Sequence, residues 1–226
     1  MEAVESFNAL TLMRMSSPPP TPPPPKRDGV ATRQKLLRAA LELFTTVGFR
    51  ATTTPEIAAR AGVAEGTIYR HFSGKEDLLL AAYREAQAWG LELVRGRDGD
   101  KTLPPRERLI GVGRRLVSAA ERDPAMIRML LRRRDEGYLD DGSRGAAREF
   151  REALQSIVAS GKSDGLVRPG PAELWTSVWL ALVAFAAERV SAKEWAPDHQ
   201  QVGLTLEAAW DAISEGKRGS GEAGKY

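Results

Sequence analysis

The stretch Thr53–Phe72, TTPEIAARAGVAEGTIYRHF, decides the fold. It holds two short helical patterns with a turn between them. Thr53 stands three residues before Glu56, the spacing of a capping box, in which the hydroxyl accepts a backbone N–H and the carboxylate reaches back to the N-cap N–H. Pro55 fits an early helical position, where its missing N–H costs nothing. Ile57, Ala58 and Ala61 fall on one face. Gly62 marks the turn, because glycine takes a left-handed backbone without steric cost, and Val63 plugs the turn from inside. The second pattern runs from Ala64 to Phe72, with Ile68 and Phe72 one turn apart on the buried side. At about 100° per residue, Gly66 and Arg70 lie opposite Ile68, with Thr67 and Tyr69 flanking. One glycine, one hydroxyl, one phenol and one guanidinium suit close approach to a polyanion. The layout is a helix-turn-helix whose second helix enters a DNA major groove.

The outward residues divide by chemistry. The fork of Arg70 can donate to a guanine edge, with a phosphate contact as the plainer alternative. Gly66 admits the helix backbone, and Thr67 can touch a thymine methyl or a phosphate. Thr53 and Tyr69 sit at a helix start and a flank, where sugar-phosphate oxygens lie. Lys75 falls in the first turn of the next helix, where an ammonium and free N–H groups can hold one phosphate together.

Gly48-Phe49, Thr52-Thr53, Ile57-Ala58, Ala61-Gly62-Val63, Gly66-Thr67-Ile68-Tyr69, His71-Phe72 and Lys75-Glu76-Asp77-Leu78 stand in a fixed order and spacing. Over Thr32–Tyr83 the chain resembles the N-terminal signature of TetR-type transcriptional regulators. The resemblance implies an all-α protein: an N-terminal three-helix helix-turn-helix head, a connecting helix, and a larger helical body that dimerises and holds a small-molecule pocket. It also makes His71 a phosphate contact. In one departure, Ala64 stands where the family usually has Ser or Thr before the recognition helix. That removes a cap worth about 1 kcal/mol, which Glu65 can partly offset through the helix dipole.

Charge supports the DNA reading. Residues 26–75 carry nine Lys/Arg against four Asp/Glu, a net of +5 that leaves −2 for the rest of the chain's +3. A basic segment coinciding with a helix-turn-helix is the footprint of a DNA binder. The chain has 226 residues and no cysteine, so disulfides and thiolate chemistry are excluded, which fits a reducing cytoplasmic setting. Its only histidines are His71, on the recognition helix, and His199, near a helix start. No P-loop, G-x-S-x-G or His/carboxylate metal spacing occurs, so no catalytic residue, metal or cofactor is expected.

Four segments follow. Residues 1–27 form a Pro-rich tail containing PPPTPPPP (Pro18–Pro25), expected to be disordered and extended; Met13 and Met15 stand within it as alternative starts. Lys26 and Arg27 at its end can reach phosphates or a minor groove, with solvated linker charges as the equal alternative. Residues 28–77 form the DNA-binding head, with helix 1 from Thr32 to Val47. Residues 78–216 form the effector-binding and dimerisation body, and residues 217–226 a flexible tail. After Phe72, Ser73 and Glu76 have the spacing of a second capping box, opening a long helix to Val94 that links head to body. Arg95–Thr102 reads as a loop. Helices are expected from Pro105 to Arg122, Ala125 to Arg134, Arg144 to Gly165, Pro171 to Lys193 and Asp198 to Ser214. The triplet Arg132–Arg134 reads as a basic helix end, and the acids Asp135, Glu136, Asp140 and Asp141 as loop acids, since no calcium-loop spacing accompanies them.

Val178–Ala187 (VWLALVAFAA) has no charge for ten residues, too short to span a bilayer. A helix apolar on nearly all sides must be covered on all sides. A partner subunit is therefore expected against Val178, Trp179, Leu182, Val183, Ala186, Leu206 and Trp210. Trp89, Met126, Met129, Phe150, Trp175, Trp179 and Phe185 can line an apolar effector cavity, with plain core packing as the alternative for each.

The expected function is a sequence-specific, homodimeric DNA-binding regulator, with repression of a near-palindromic duplex operator relieved by a small-molecule effector. The alternative is a regulator controlled by a protein partner, without a ligand cavity.

Overall fold

The first helix, α1, runs from Lys26 to Leu43 and takes in Lys26 and Arg27, two residues that composition placed in the tail. The computed structural model describes residues 26–96, 98–132 and 139–216, and is helical throughout apart from an isolated bridge between Val167 and Ser214. The Pro-rich segment, the C-terminal tail beyond Gly216, and Arg133–Glu136 lie outside the described residues. One wide helical turn, Phe44–Gly48, extends α1. Leu36, Ala40 and Phe44 are buried against the next two helical segments, as the apolar stripe of helix 1 requires.

Helix α2 (Thr54–Ala61) forms as its sequence dictates. The Thr53 backbone N–H donates to Glu56 at 2.7 Å, and the Glu56 N–H donates back to the Thr53 hydroxyl. Gly62 closes the helix at φ 68°, where a side chain is strained. The recognition segment differs from expectation. It is a 3₁₀ helix, Glu65–Arg70, rather than an α-helix to Phe72, and its N-cap Ala64 offers no side-chain hydrogen bond. An uncapped start followed by Gly66 leaves little to hold the first turn in α geometry.

The connecting helix α3 spans Lys75–Arg95. The capping box expected from Ser73 and Glu76 does not form. The N-cap is Gly74, and the Asp77 carboxylate instead accepts from the Ser73 backbone N–H at 3.0 Å and its hydroxyl at 3.3 Å. Beyond α3, the expected loop contains a 3₁₀ turn, Asp98–Thr102. Arg115 ties this region down by donating to the Leu93 carbonyl and to Asp100, both at 2.7 Å.

The body continues with α4 (Pro105–Arg122), α5 (Pro124–Leu131), α6 (Asp141–Ser163), α7 (Ala172–Ser191) and α8 (Gln200–Asp211). Asp123 caps α5 by accepting from the Met126 N–H at 3.0 Å. Asp140 caps α6 through Ser143 at 2.8 Å and pairs with Arg84 of α3 at 2.7 Å. These contacts engage Asp140 as a helix cap, and no group of acids and histidines able to hold a metal occurs among the described residues.

Two apolar stripes on α7 explain its composition. Trp179, Val183, Ala186 and Val190 face inward onto α4 and α8 and are buried within one chain. Leu174, Val178, Ala181 and Phe185 follow the opposite stripe; Leu174 is 50% and Phe185 42% exposed. Leu204 on α8 is 60% exposed. The interface expectation is corrected accordingly. Val178 and Leu182 remain partly open, whereas Trp179, Val183, Ala186, Leu206 and Trp210 belong to the chain's own core. By length and hydropathy α7 could cross a membrane, but part of it is buried inside the body.

An ion-pair chain ties the head to the body. Arg60 of α2 pairs with Glu42 of α1 at 2.5 Å, Glu42 with Arg38 at 2.8 Å, and Arg38 with Asp123 at 2.5 Å. Burial raises the Glu42 pKa, but hydrogen bonds from Arg60 and Arg38 outweigh it and hold the carboxyl below its ordinary value of 4.5. A depressed folded-state pKa contributes stability that is present above the unfolded value and lost as pH falls through the folded one. Thermal stability should therefore decline as pH drops below about 4.5, and Glu42→Gln should make that acid limb shallower. Melting curves from about pH 3 to pH 7 check this.

Candidate DNA-binding face and effector cleft

The DNA-facing residues gather on one surface of the head. Gly66, Tyr69 and Arg70 are exposed on the recognition segment, Tyr69 to 58%, while Ile68 and Phe72 anchor it from beneath. Thr67 is half-buried, and no atom lies within 4 Å of where a Gly66 Cβ would stand. The backbone at Gly66 is thus open to a groove. Thr53 is exposed at the start of α2, although its N–H and hydroxyl both donate to Glu56. His71 is half-buried beside Gly29 of α1.

Lys75 has a second commitment that sequence reasoning missed. Its ammonium donates to the carbonyls of Phe49 at 3.0 Å and Thr52 at 2.9 Å, and sits 4.5 Å from the centroid of the Phe49 ring. It thereby staples the α1–α2 connection to the start of α3, leaving one of three donors for a phosphate. Lys75→Ala should lower stability without DNA by about 1–3 kcal/mol, the range for hydrogen bonds from a charged donor. Denaturant unfolding of the free protein measures it.

A cleft of about 780 Å³ lies between α3, α5 and α6. Its walls include Glu85, Trp89 and Glu92 from α3, Met126 from α5, and Gly145 and Glu149 from α6. Of the aromatic and Met residues expected to line a cavity, only Trp89 and Met126 do so. Met129, Phe150 and Trp179 are core residues, Trp175 packs by Arg168 and Gly170, and Phe185 stands on the outer face of α7. Large apolar groups are drawn into the core first, so that beside Trp89, Leu91 and Met126 the cleft wall is made by small and charged residues.

A smaller cleft of about 300 Å³ lies between head and body and shares Glu85 and Met126 with the first. Its wall also includes Arg38 and Asp123, the pair that joins α1 to the cap of α5. Met126 therefore stands between the large cleft and the ion-pair chain leading to α2.

The head that carries this face matches a known family. The model described as bacterial regulatory proteins, tetR family, matches residues 36–82. The transcriptional repressor KstR2 of Mycobacterium tuberculosis is 30% identical over 145 residues, covering 61% of this chain and 70% of KstR2. The chain belongs to the tetR family of bacterial regulatory proteins. As a member of the TetR family it is a DNA-binding transcriptional regulator with a helix-turn-helix head. Its match to the regulator YvkB of Bacillus subtilis is 38% identical over 69 residues, covering 30% of this chain and about a third (36%) of that relative's length. The TetR fold extends through the body. The crystal structure of the Bacillus subtilis regulator FadR in complex with stearoyl-CoA superimposes with a TM-score of 0.65 at 21% identity, covering 80% of this chain and 98% of that one.

Proposed function

We propose that two copies of this chain pair through the outer faces of α7 and α8, hold two recognition segments on a near-palindromic operator, and repress until a small molecule enters the α3–α5–α6 cleft. The exposed recognition face, carried on a basic head shared with known repressors, supports DNA binding most directly. Half-sites one DNA turn apart place the two segments ~34–36 Å from each other. The setting is the cytoplasm, where the operator lies.

Arg70 reads a guanine edge, and Gly66 and Thr67 let the backbone close on the groove. Thr53, Tyr69, His71 and Lys75 hold sugar-phosphate oxygens. Arg70→Ala should cost about 1–3 kcal/mol on the preferred sequence and flatten the preference at one base position per half-site. Binding titrations against single-base operator variants test this; a uniform loss with base preferences intact makes Arg70 a phosphate contact instead.

A small-molecule effector is favoured over a protein partner by the cleft itself, which is large enough for a drug-sized ligand. An occupant touching Met126 presses on the first turn of α5, whose cap Asp123 is held by Arg38 of α1. Displacement there alters the head's angle and the spacing of the paired recognition segments. Such coupling is typically worth about 1–3 kcal/mol.

A further inference from the structure

We infer that the cleft between α3, α5 and α6 takes an amphipathic cation, an apolar body carrying a positive centre; this rests on reading that cleft as the effector site. Two matched stripes build it. On α3, Glu85, Trp89 and Glu92 succeed one another at intervals of four and three residues, so two carboxylates bracket an indole on one helix face. On α6, Gly145 and Glu149 are one turn apart and face them across the cleft.

The charge balance of the walls selects the ligand. Among the described lining residues, three carboxylates meet one guanidinium, and that guanidinium, Arg95, is already paired with Glu92 at 2.7 Å. Glu85 and Glu149 form no ion pair among the described residues. Unpaired carboxylates beside an indole and a thioether favour a cation on two counts. The carboxylates attract it, and the negative face of the indole ring attracts it further when water is excluded. Met126 adapts its shape to an irregular apolar body. The same walls disfavour an acyl-CoA, whose phosphates would meet three carboxylates and no free Arg or Lys among the described lining residues. A neutral ligand gains only from burial. Room for the apolar body comes from Gly145, where an added Cβ would meet no atom within 4 Å.

The experiment uses the full chain and three probes: tetraphenylphosphonium chloride as the cation, triphenylphosphine oxide as the neutral comparator, and stearoyl-CoA below its micellar concentration as the anion. Calorimetric titration should show the phosphonium binding most tightly, with affinity falling as salt rises. Glu85→Gln with Glu149→Gln together should weaken it about tenfold, from a few-fold per partly exposed pair. Trp89→Ala should weaken it by a similar factor. Gly145→Trp should fill the cleft and abolish binding while the melting curve of that variant remains cooperative. Tighter binding of stearoyl-CoA or of the neutral probe than of the phosphonium overturns the assignment, as does unchanged phosphonium affinity in the double carboxamide variant. Adding each probe to the protein–DNA complex separates the two readings. Release by stearoyl-CoA alone keeps ligand-responsive regulation and overturns the cation; DNA bound and released by none of the three overturns both.

Discussion

Phe185→Asp combined with Leu204→Asp should convert the protein into a folded monomer and lower operator affinity by about a hundredfold or more. Both side chains stand on the outer stripe of α7 and α8, Leu204 60% and Phe185 42% exposed in the single chain, so charge there loses the Phe185 ring contacts with Trp195 and Arg189 but leaves the buried core intact. Against a second copy, the same carboxylates are buried without partners, and an unpaired buried charge is costly enough to prevent association. Pairing two heads makes the second half-site contact intramolecular, which raises apparent affinity by about 10²–10⁴. Losing the pair forfeits that factor while leaving each head able to hold one half-site. Sedimentation velocity at micromolar concentration reads the mass, circular dichroism reads the fold, and a titration on duplex DNA reads the affinity. A dimer that survives the double substitution places the interface elsewhere.

Trp179→Ala should act through a different route and cost about 3–5 kcal/mol of unfolding free energy, the range for removing a large buried aromatic side chain. Trp179 is fully buried on the inner stripe of α7. Gly113 of α4 faces the same place: a Cβ there would meet Leu206 at 2.7 Å and the Trp179 ring at 3.6 Å. The missing side chain lets α4 come close enough for the indole and Leu206 to fill the gap between three helices. Deleting the indole leaves a cavity the surrounding helices cannot close, and several kcal/mol is a large share of a typical domain's stability. Urea unfolding measured in the folded monomer background of Phe185→Asp with Leu204→Asp isolates this term from association. A loss under about 1 kcal/mol there means that the site collapses and the packing argument is wrong.

Contrast between these two variants shows where sequence was sufficient. The Thr53–Glu56 box, the left-handed Gly62 and the burial of Ile68 and Phe72 are local consequences of neighbouring residues, and each appears as expected. The α7 helix is another matter. Its ten uncharged residues announce that both faces are covered, but an apolar run has no polar side to orient it, so Trp179 and Val183 could not be distinguished from Phe185 and Val178 by periodicity. Aromatic content misled for a related reason, since Met129, Phe150 and Trp179 fill the core and only Trp89 and Met126 of the expected residues reach the cleft wall. The spacing Glu85–Trp89–Glu92 on α3 was the available signal, and it gains meaning only once α6 is known to lie opposite. Lys75 was legible as a cation at a helix start, whereas its bonds to Phe49 and Thr52 depend on a chain crossing that local pattern does not reveal.

Paired heads should read an inverted repeat. Selecting the full chain against random duplex DNA, followed by sequencing of the bound fraction, tests it most directly. Two inverted half-sites should be enriched, with centres about one helical turn apart, or somewhat more, each losing one base preference in Arg70→Ala. Enrichment of a single unrepeated half-site, bound equally well by wild type and by Phe185→Asp with Leu204→Asp, would contradict it.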